Sequence, residues 1–223
     1  MMNNRRRLLQ YLLASGALMA GGVSGVIREA LAMGSRPIMP GIHSMRGSVT
    51  VNGKPAQEGD QVARGDAVAV GPNSQAIVVI ERDAFLLREN TLVEFGTDIV
   101  KQTLRLVSGK ILSVFAKGEH RILTSTTTIG LRGTGGYVED VDPARVYFCL
   151  CYGETELQTS GGYRANYRTT HHESPRYIYR DSGMVKPVTE APMLNHTDAE
   201  LIMLEGLVGR YPMFYGSENS GAY

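Results

Sequence analysis

The sequence holds no tryptophan, two cysteines and a formal net charge of only +1 over 223 residues. A balance so close to neutral supplies no field to gather a polyanion, so no nucleic acid is expected as a partner. No cysteine stands at the end of the apolar stretch from Tyr11 to Ile27, which excludes an N-terminal lipid anchor through a lipobox. No paired carboxylates and no nucleophile with its base can be placed on a common geometry, and nothing resembling an oxyanion hole or an orienting Asn stands beside the cysteines, so the chain is not expected to be an enzyme. Between residues 42 and 157 there is no helical window of convincing length.

What is present points outward from the cytoplasm and toward strands. Arg5-Arg6-Arg7-Leu8-Leu9-Gln10 is followed by an uncharged run from Tyr11 to Ile27, and Ala30-Leu31-Ala32 supplies a small-x-small cleavage pattern that makes Met33 the first mature residue. The arrangement resembles a twin-arginine signal, with Asn4 and Gln10 at the two positions where it departs from the usual pattern. An ordinary secretory signal or an uncleaved inner-membrane anchor are the alternatives. A periplasmic protein is expected, associated with the inner membrane only if the signal stays uncleaved. Twin-arginine export moves folded chains, which makes a cofactor inserted before export a live expectation.

Residues 1–32 are therefore set apart as signal and 33–43, rich in Pro and Gly, as a tether. Beyond them the 26 glycines and the predominance of Val, Ile and Leu favour strands and tight turns. Ser48–Val51 alternates into Asn52-Gly53, a strong hairpin signal, and Ala76–Ile80 is apolar enough for a central strand. Further runs follow at regular spacing, punctuated by Asn90, Gly96, Gly109 and Gly118. The cadence predicts an all-β domain over 44–158, a single sandwich or roll of about ten short strands. Residues 159–223 are read as an extension over that domain, with a short capped helix near 197–208 that starts at Asn195 or Thr197.

Several segments, in order, carry a resemblance. Val49-x-Val51, Gly59-Asp60, Gly65-Asp66, Ser74-x-Ala76-x-Val78 and Leu104-x-Leu106-x-x-Gly109-x-Ile111 are followed by Ile129-Gly130-Leu131-Arg132-Gly133-Thr134, Tyr137-Val138-Glu139 and Tyr152-Gly153-Glu154-Thr155-Glu156-Leu157. Together they resemble the FecR domain of bacterial envelope proteins. The resemblance implies a periplasmic all-β module that binds rather than catalyses, found in regulators that relay a transport signal to an extracytoplasmic sigma factor. Only Met1–Arg7 precede the apolar stretch here, so the sigma contact is not expected and a recognition module for a small ligand or an envelope protein remains. Gly130, Arg132, Gly133 and Thr134 are its signature residues. Read physically, the glycines permit a bulge, and Arg132 is expected to pair internally and stabilise it.

The feature least explained by fold alone is Tyr147-Phe148-Cys149-Leu150-Cys151-Tyr152. Cysteines at i and i+2 of a strand face one side with near-parallel side chains, a poor geometry for bonding each other. They are expected to be buried, bound to a metal, or shared between two chains of a homo-oligomer. Thr170-His171-His172-Glu173 lies about twenty residues on, and Cys149, Cys151 with His171 or His172 form a ligand set for zinc or copper if that segment folds back. Adjacent histidines on a strand point to opposite faces, which leaves Glu173 or a water as the fourth ligand. The simpler reading, buried apolar cysteines and surface histidines, stands beside it.

Overall fold

The computed structural model describes residues 40–98, 102–172, 175–180 and 186–216. The expected signal at 1–32, most of the tether and Glu173 lie outside them. No helix among the described residues is long and apolar enough to cross a membrane.

Among the described residues the chain is all-β with one short C-terminal helix. In chain order the strands are β1 (Gly41–Arg46), β2 (Val49–Val51), β3 (Lys54–Pro55), β4 (Ala67–Val70), β5 (Gln75–Ile80), β6 (Asp83–Leu87), β7 (Thr91–Phe95), β8 (Gln102–Ser108), β9 (Lys110–Val114) and β10 (His120–Leu123). Two long strands follow, β11 (Thr127–Asp142) and β12 (Arg145–Thr159), then β13 (Arg164–Thr169), β14 (Arg176–Tyr179) and β15 (Val188–Glu190), and the helix α1 (Asp198–Leu207). All fifteen strands belong to one curled sheet, ordered β1-β5-β6-β9-β11-β10-β8-β7-β4-β2-β3, with β12 hydrogen-bonded to β11, β13 and β14 and with β15 beside β14. Every pairing is antiparallel except β8 with β10.

The period-two alternation of the strands sorts their apolar residues into two clusters on opposite faces. Ala76, Val78, Phe85, Leu87, Ile111, Val146, Phe148 and Leu150 belong to the first, which the curl of the sheet encloses. Ile77, Val79, Ala84, Leu86, Leu112, Val114, Tyr147, Cys149 and Cys151 belong to the second. The sequence predicts one core, whereas β5, β6, β9 and β12 carry apolar residues on both faces. That is why Ala76–Ile80 and Ala84–Leu87 read as continuous apolar runs.

α1 roofs the second cluster. Thr197 is its N-cap, with a capping box to Glu200 that satisfies two of the free amides of the first turn. Leu201, Met203, Leu204 and Leu207 face the sheet, each contributing about 1.5–3 kcal/mol on burial. Two buried carboxylates fix the helix laterally. Glu200 accepts from Arg88 at 2.9 and 3.0 Å, and Glu205 accepts from the Tyr152 hydroxyl and from Arg210. Phe214, past the helix, packs on Tyr152 with ring centroids 5.8 Å apart.

The segment 159–223, expected as an extension over the domain, contributes β13, β14 and β15 to the same sheet. Its strands escaped the sequence pattern because their side chains are largely polar or half-buried: Arg164–Thr169 exposes every other residue yet presents little apolar surface on the other face.

Candidate metal centre

β12 positions the two thiols. Tyr147, Cys149 and Cys151 alternate toward the helix-covered face while Val146, Phe148 and Leu150 fill the enclosed core. Both cysteines are fully buried and neither is in a disulfide. Cys149 Sγ lies 3.5 Å from His172 Nδ1 and 3.8 Å from Met193 Sδ, and the Cys151 thiol points to the Cys149 carbonyl at 3.8 Å.

His172 arrives by a bend, not along a strand. β13 ends at Thr169, and His172 takes a left-handed φ of 47° while its amide donates to the Cys151 carbonyl at 2.9 Å. That conformation costs on the order of 1 kcal/mol for a residue with a Cβ. Because the pair sits past the strand, the rule of opposite faces does not apply. His171 Nε2 meets both Asp198 oxygens at 2.9 Å, and His172 Nε2 meets Asp198 Oδ1 at 3.0 Å. His172 alone joins the cysteines; His171 stands behind it, sharing the carboxylate. Neither is a surface group, since His172 is 4% exposed and the His171 side chain 11%.

The fourth candidate donor is His196, between the two expected cap residues Asn195 and Thr197 and outside the ligand set expected from the sequence. It sits immediately before the N-cap Thr197, with Asp198 immediately after, so one tight helix start delivers both a donor and the carboxylate that orients its neighbour. The thiols of Cys149 and Cys151 and one ring nitrogen each of His172 and His196 lie within 4.8 Å of one another, all four residues buried.

The outer contacts of the two imidazoles decide what faces inward. His172 Nε2 is taken by Asp198, and His196 Nδ1 lies 2.6 Å from the Leu194 carbonyl, to which it can only donate. If both outer nitrogens carry the protons, both inner lone pairs converge: His172 Nδ1 and His196 Nε2 are 3.3 Å apart. Two lone pairs at that distance, beside thiolate sulfur, require a cation between them, either a proton or a metal. Tetrahedral bonds of about 2.0 Å to nitrogen and 2.3 Å to sulfur place donors roughly 3.3–3.8 Å apart. The nitrogen pair at 3.3 Å and the sulfur–nitrogen pair at 3.5 Å fall in that range.

With no ion between them, the same contacts favour a proton on His172 and a thiolate at Cys149. The hydrogen bond with Cys151, joined by those of His172 and His196, holds the Cys149 thiol well below its ordinary pKa against the penalty of burial. Burial, then the bond to Cys149, pushes the Cys151 thiol well up. Burial alone would lower His172, but Asp198 and Cys149 raise it to about 9. Burial likewise opposes the Asp198 charge, and the bonds from His172 and His171 overcome it and leave that carboxyl lowered. The Asp198 carboxylate behind His172 is the kind of outer-shell partner that orients a metal-ligating histidine.

The other residues singled out in the sequence lie on β11 and give no donor to this set. Gly130 pairs between Arg121 and Glu156, and its carbonyl accepts from the Thr155 hydroxyl at 2.7 Å. The ladder with β12 breaks between Arg132 and Gly135, where Gly133 has φ +59°. A Cβ on Gly135 would stand 2.4 Å from the Tyr152 ring, so only glycine admits that ring over the strand. Thr134 is buried. Arg132, expected to pair internally, is instead exposed, and its side chain forms no hydrogen bond or ion pair among the described residues. The bulge turns it into an open groove of about 570 Å³ lined also by Lys117, Glu119, Glu154 and Arg168.

Fold and site thus define an all-β protein with a buried cluster of two thiols and two imidazoles under a C-terminal helix. No family model matches the chain, and no curated protein matches it. Two crystal structures from Parabacteroides distasonis ATCC 8503, each titled a "putative anti-sigma factor", are similar at 10% identity with TM-scores of 0.47 and 0.48. The matches cover 56% and 64% of this chain, and the chain spans 58% of the first neighbour and 74% of the second.

Proposed function

We propose that this protein is an exported, non-enzymatic sensing module of the FecR type whose sheet carries a Cys2His2 metal centre. The observation that carries the metal is the convergence of His172 Nδ1 and His196 Nε2 at 3.3 Å beside Cys149, with each outer nitrogen committed to its own acceptor. The non-enzymatic reading is supported by the donor set. Four buried protein donors saturate a tetrahedral ion, whereas hydrolytic metal sites keep one position for water. Export rests on Arg5–Gln10, the uncharged run to Ile27 and Ala30-Leu31-Ala32, and kinship to FecR domains rests on the ordered motifs from Val49 to Leu157. In this reading the bound ion ties β12, the bend after β13 and the start of α1 together, so occupancy is expressed as docking of the C-terminal segment. The envelope partner or small ligand that reads that state would meet the outer surface, where Arg132 stands free in its groove.

The test is elemental analysis of the full chain recovered from the periplasmic fraction, with the mature N-terminus sequenced. One equivalent of a transition metal, lost in Cys149→Ser with Cys151→Ser, and a chain beginning at Met33 are expected. Metal-free wild-type protein whose stability is untouched by the double substitution would remove the centre. An intact Met1 would shift the reading to the membrane-anchored alternative.

A further inference from the structure

The centre has a fifth candidate donor that a tetrahedral zinc site does not need. Met193 Sδ stands 3.8 Å from Cys149 Sγ, half-buried at the edge of the cluster. Its placement is set by its neighbours. The Tyr147 hydroxyl donates to the Pro192 carbonyl at 3.0 Å and accepts from the Leu194 amide at 3.2 Å, so the residues on either side of Met193 are pinned to one atom of β12. The Leu194 carbonyl in turn accepts from the His196 ring, so 192–196 is a strap held by its own bonds and by Tyr147, with the Met193 sulfur against Cys149. A methionine that merely filled a gap would not need its backbone held at both ends.

We infer that the centre is built for copper, with the Met193 thioether as a soft fifth donor beside Cys149, Cys151, His172 and His196. Thioether sulfur is a ligand for copper and is not among the ordinary donors of zinc, so its addition to two thiols and two imidazoles tilts the site toward copper.

This inference rests on the metal reading above, and its test separates the two. The purified full chain and its Met193→Leu variant are titrated anaerobically with copper(I) and separately with zinc(II) against chelators of known affinity, and the copper-loaded forms are compared by X-ray absorption. The expected result is that Met193→Leu weakens copper(I) binding about tenfold and removes one sulfur neighbour from the copper, while zinc affinity stays as in wild type. Equal copper affinity and an identical copper spectrum in the two proteins would overturn the inference and leave the metal centre standing. Failure of the wild type to hold either ion would overturn the metal reading itself. Unchanged zinc binding in the variant also shows that the variant is folded.

Discussion

His196 stacks on Tyr137 with ring centroids 4.7 Å apart and planes only 14° from parallel. The contact joins a donor from the C-terminal strap to the middle of β11, and it leaves His196 Nε2 free to face His172. Tyr137 is itself held, its hydroxyl donating to Glu139 at 2.9 Å, and Glu139 accepts from Asn195, the residue before His196. Orientation of the imidazole therefore depends on the sheet as well as on the Leu194 carbonyl.

Tyr137→Leu keeps the position apolar but removes the stacking plane and the bond to Glu139. Metal affinity measured by chelator competition is expected to fall about tenfold, the scale of an outer-shell loss. Unchanged affinity would show that the strap alone aims His196.

Asp198→Asn leaves a cap-compatible side chain in the first turn of α1 but removes the carboxylate shared by His171 and His172. Affinity should drop by roughly ten- to a hundredfold. The companion His171→Gln, which touches Asp198 but gives no donor to the cluster, should cost less. If His171→Gln abolished binding and Asp198→Asn did not, the assignment of roles would be reversed.

Removing the ion should free the end of the chain before it melts the sheet. Amide exchange is expected to quicken between residues 192 and 208 on chelation, while Val78, Phe85 and Leu112 in the central strands keep their protection. Uniform loss of protection would mean the metal holds the whole fold.

A separate pH dependence comes from the buried pair at the start of β10. His120 Nε2 bonds the Ala116 carbonyl at 2.9 Å, Asp83 accepts from the Ala116 amide at 2.8 Å, and the two side chains are 3.6 Å apart, with Arg64 and Arg210 and the more distant Glu81 around them. Burial lowers His120 below 6.5 and raises Asp83 above 3.8. Below pH 6.5 the unfolded chain gains a proton on this histidine that the folded chain resists, so His120 costs stability as pH falls from 6.5 toward its folded value. Asp83 acts oppositely, since the folded chain holds its proton up to a higher pH and returns stability in the more acid range. Denaturant midpoints of His120→Gln should fall less than wild type between pH 6.5 and 5.5, and parallel curves would rule the pair out.

Gly135→Ala brings a Cβ to 2.4 Å from the Tyr152 ring, which also carries the bond to Glu205 of α1. Overpacking of this kind costs about 1–3 kcal/mol, measurable by urea unfolding. Gly162→Ala, whose Cβ would meet nothing within 4 Å though its φ is +86°, is the strained but uncrowded control.

What the sequence disclosed was local. The Asn52-Gly53 turn, the apolar runs of β5 and β6, the same-face pair at Cys149 and Cys151, and the Thr197 cap each follow from a few neighbouring residues, and the structure has all of them. The strands after Leu157 were hidden because they hydrogen-bond to a sheet already complete in apolar surface and needed few apolar residues of their own. His196 was hidden for a related reason: its helix-cap context explains it fully at short range, and only the docking of α1 on the sheet carries it to His172. Reading every histidine in a capped start as a candidate donor would have found it. Arg132 shows the converse error, a local expectation of pairing undone by the bulge that turns it outward.

The order of the donors along the chain has a consequence for biosynthesis. A nascent polypeptide presents both thiols of β12 well before residue 196 leaves the ribosome, so half of the cage exists for a time with no histidine to complete it. Under the proposed metal reading, an ion would be held tightly only once the last strap closes, in the compartment where the chain finishes folding.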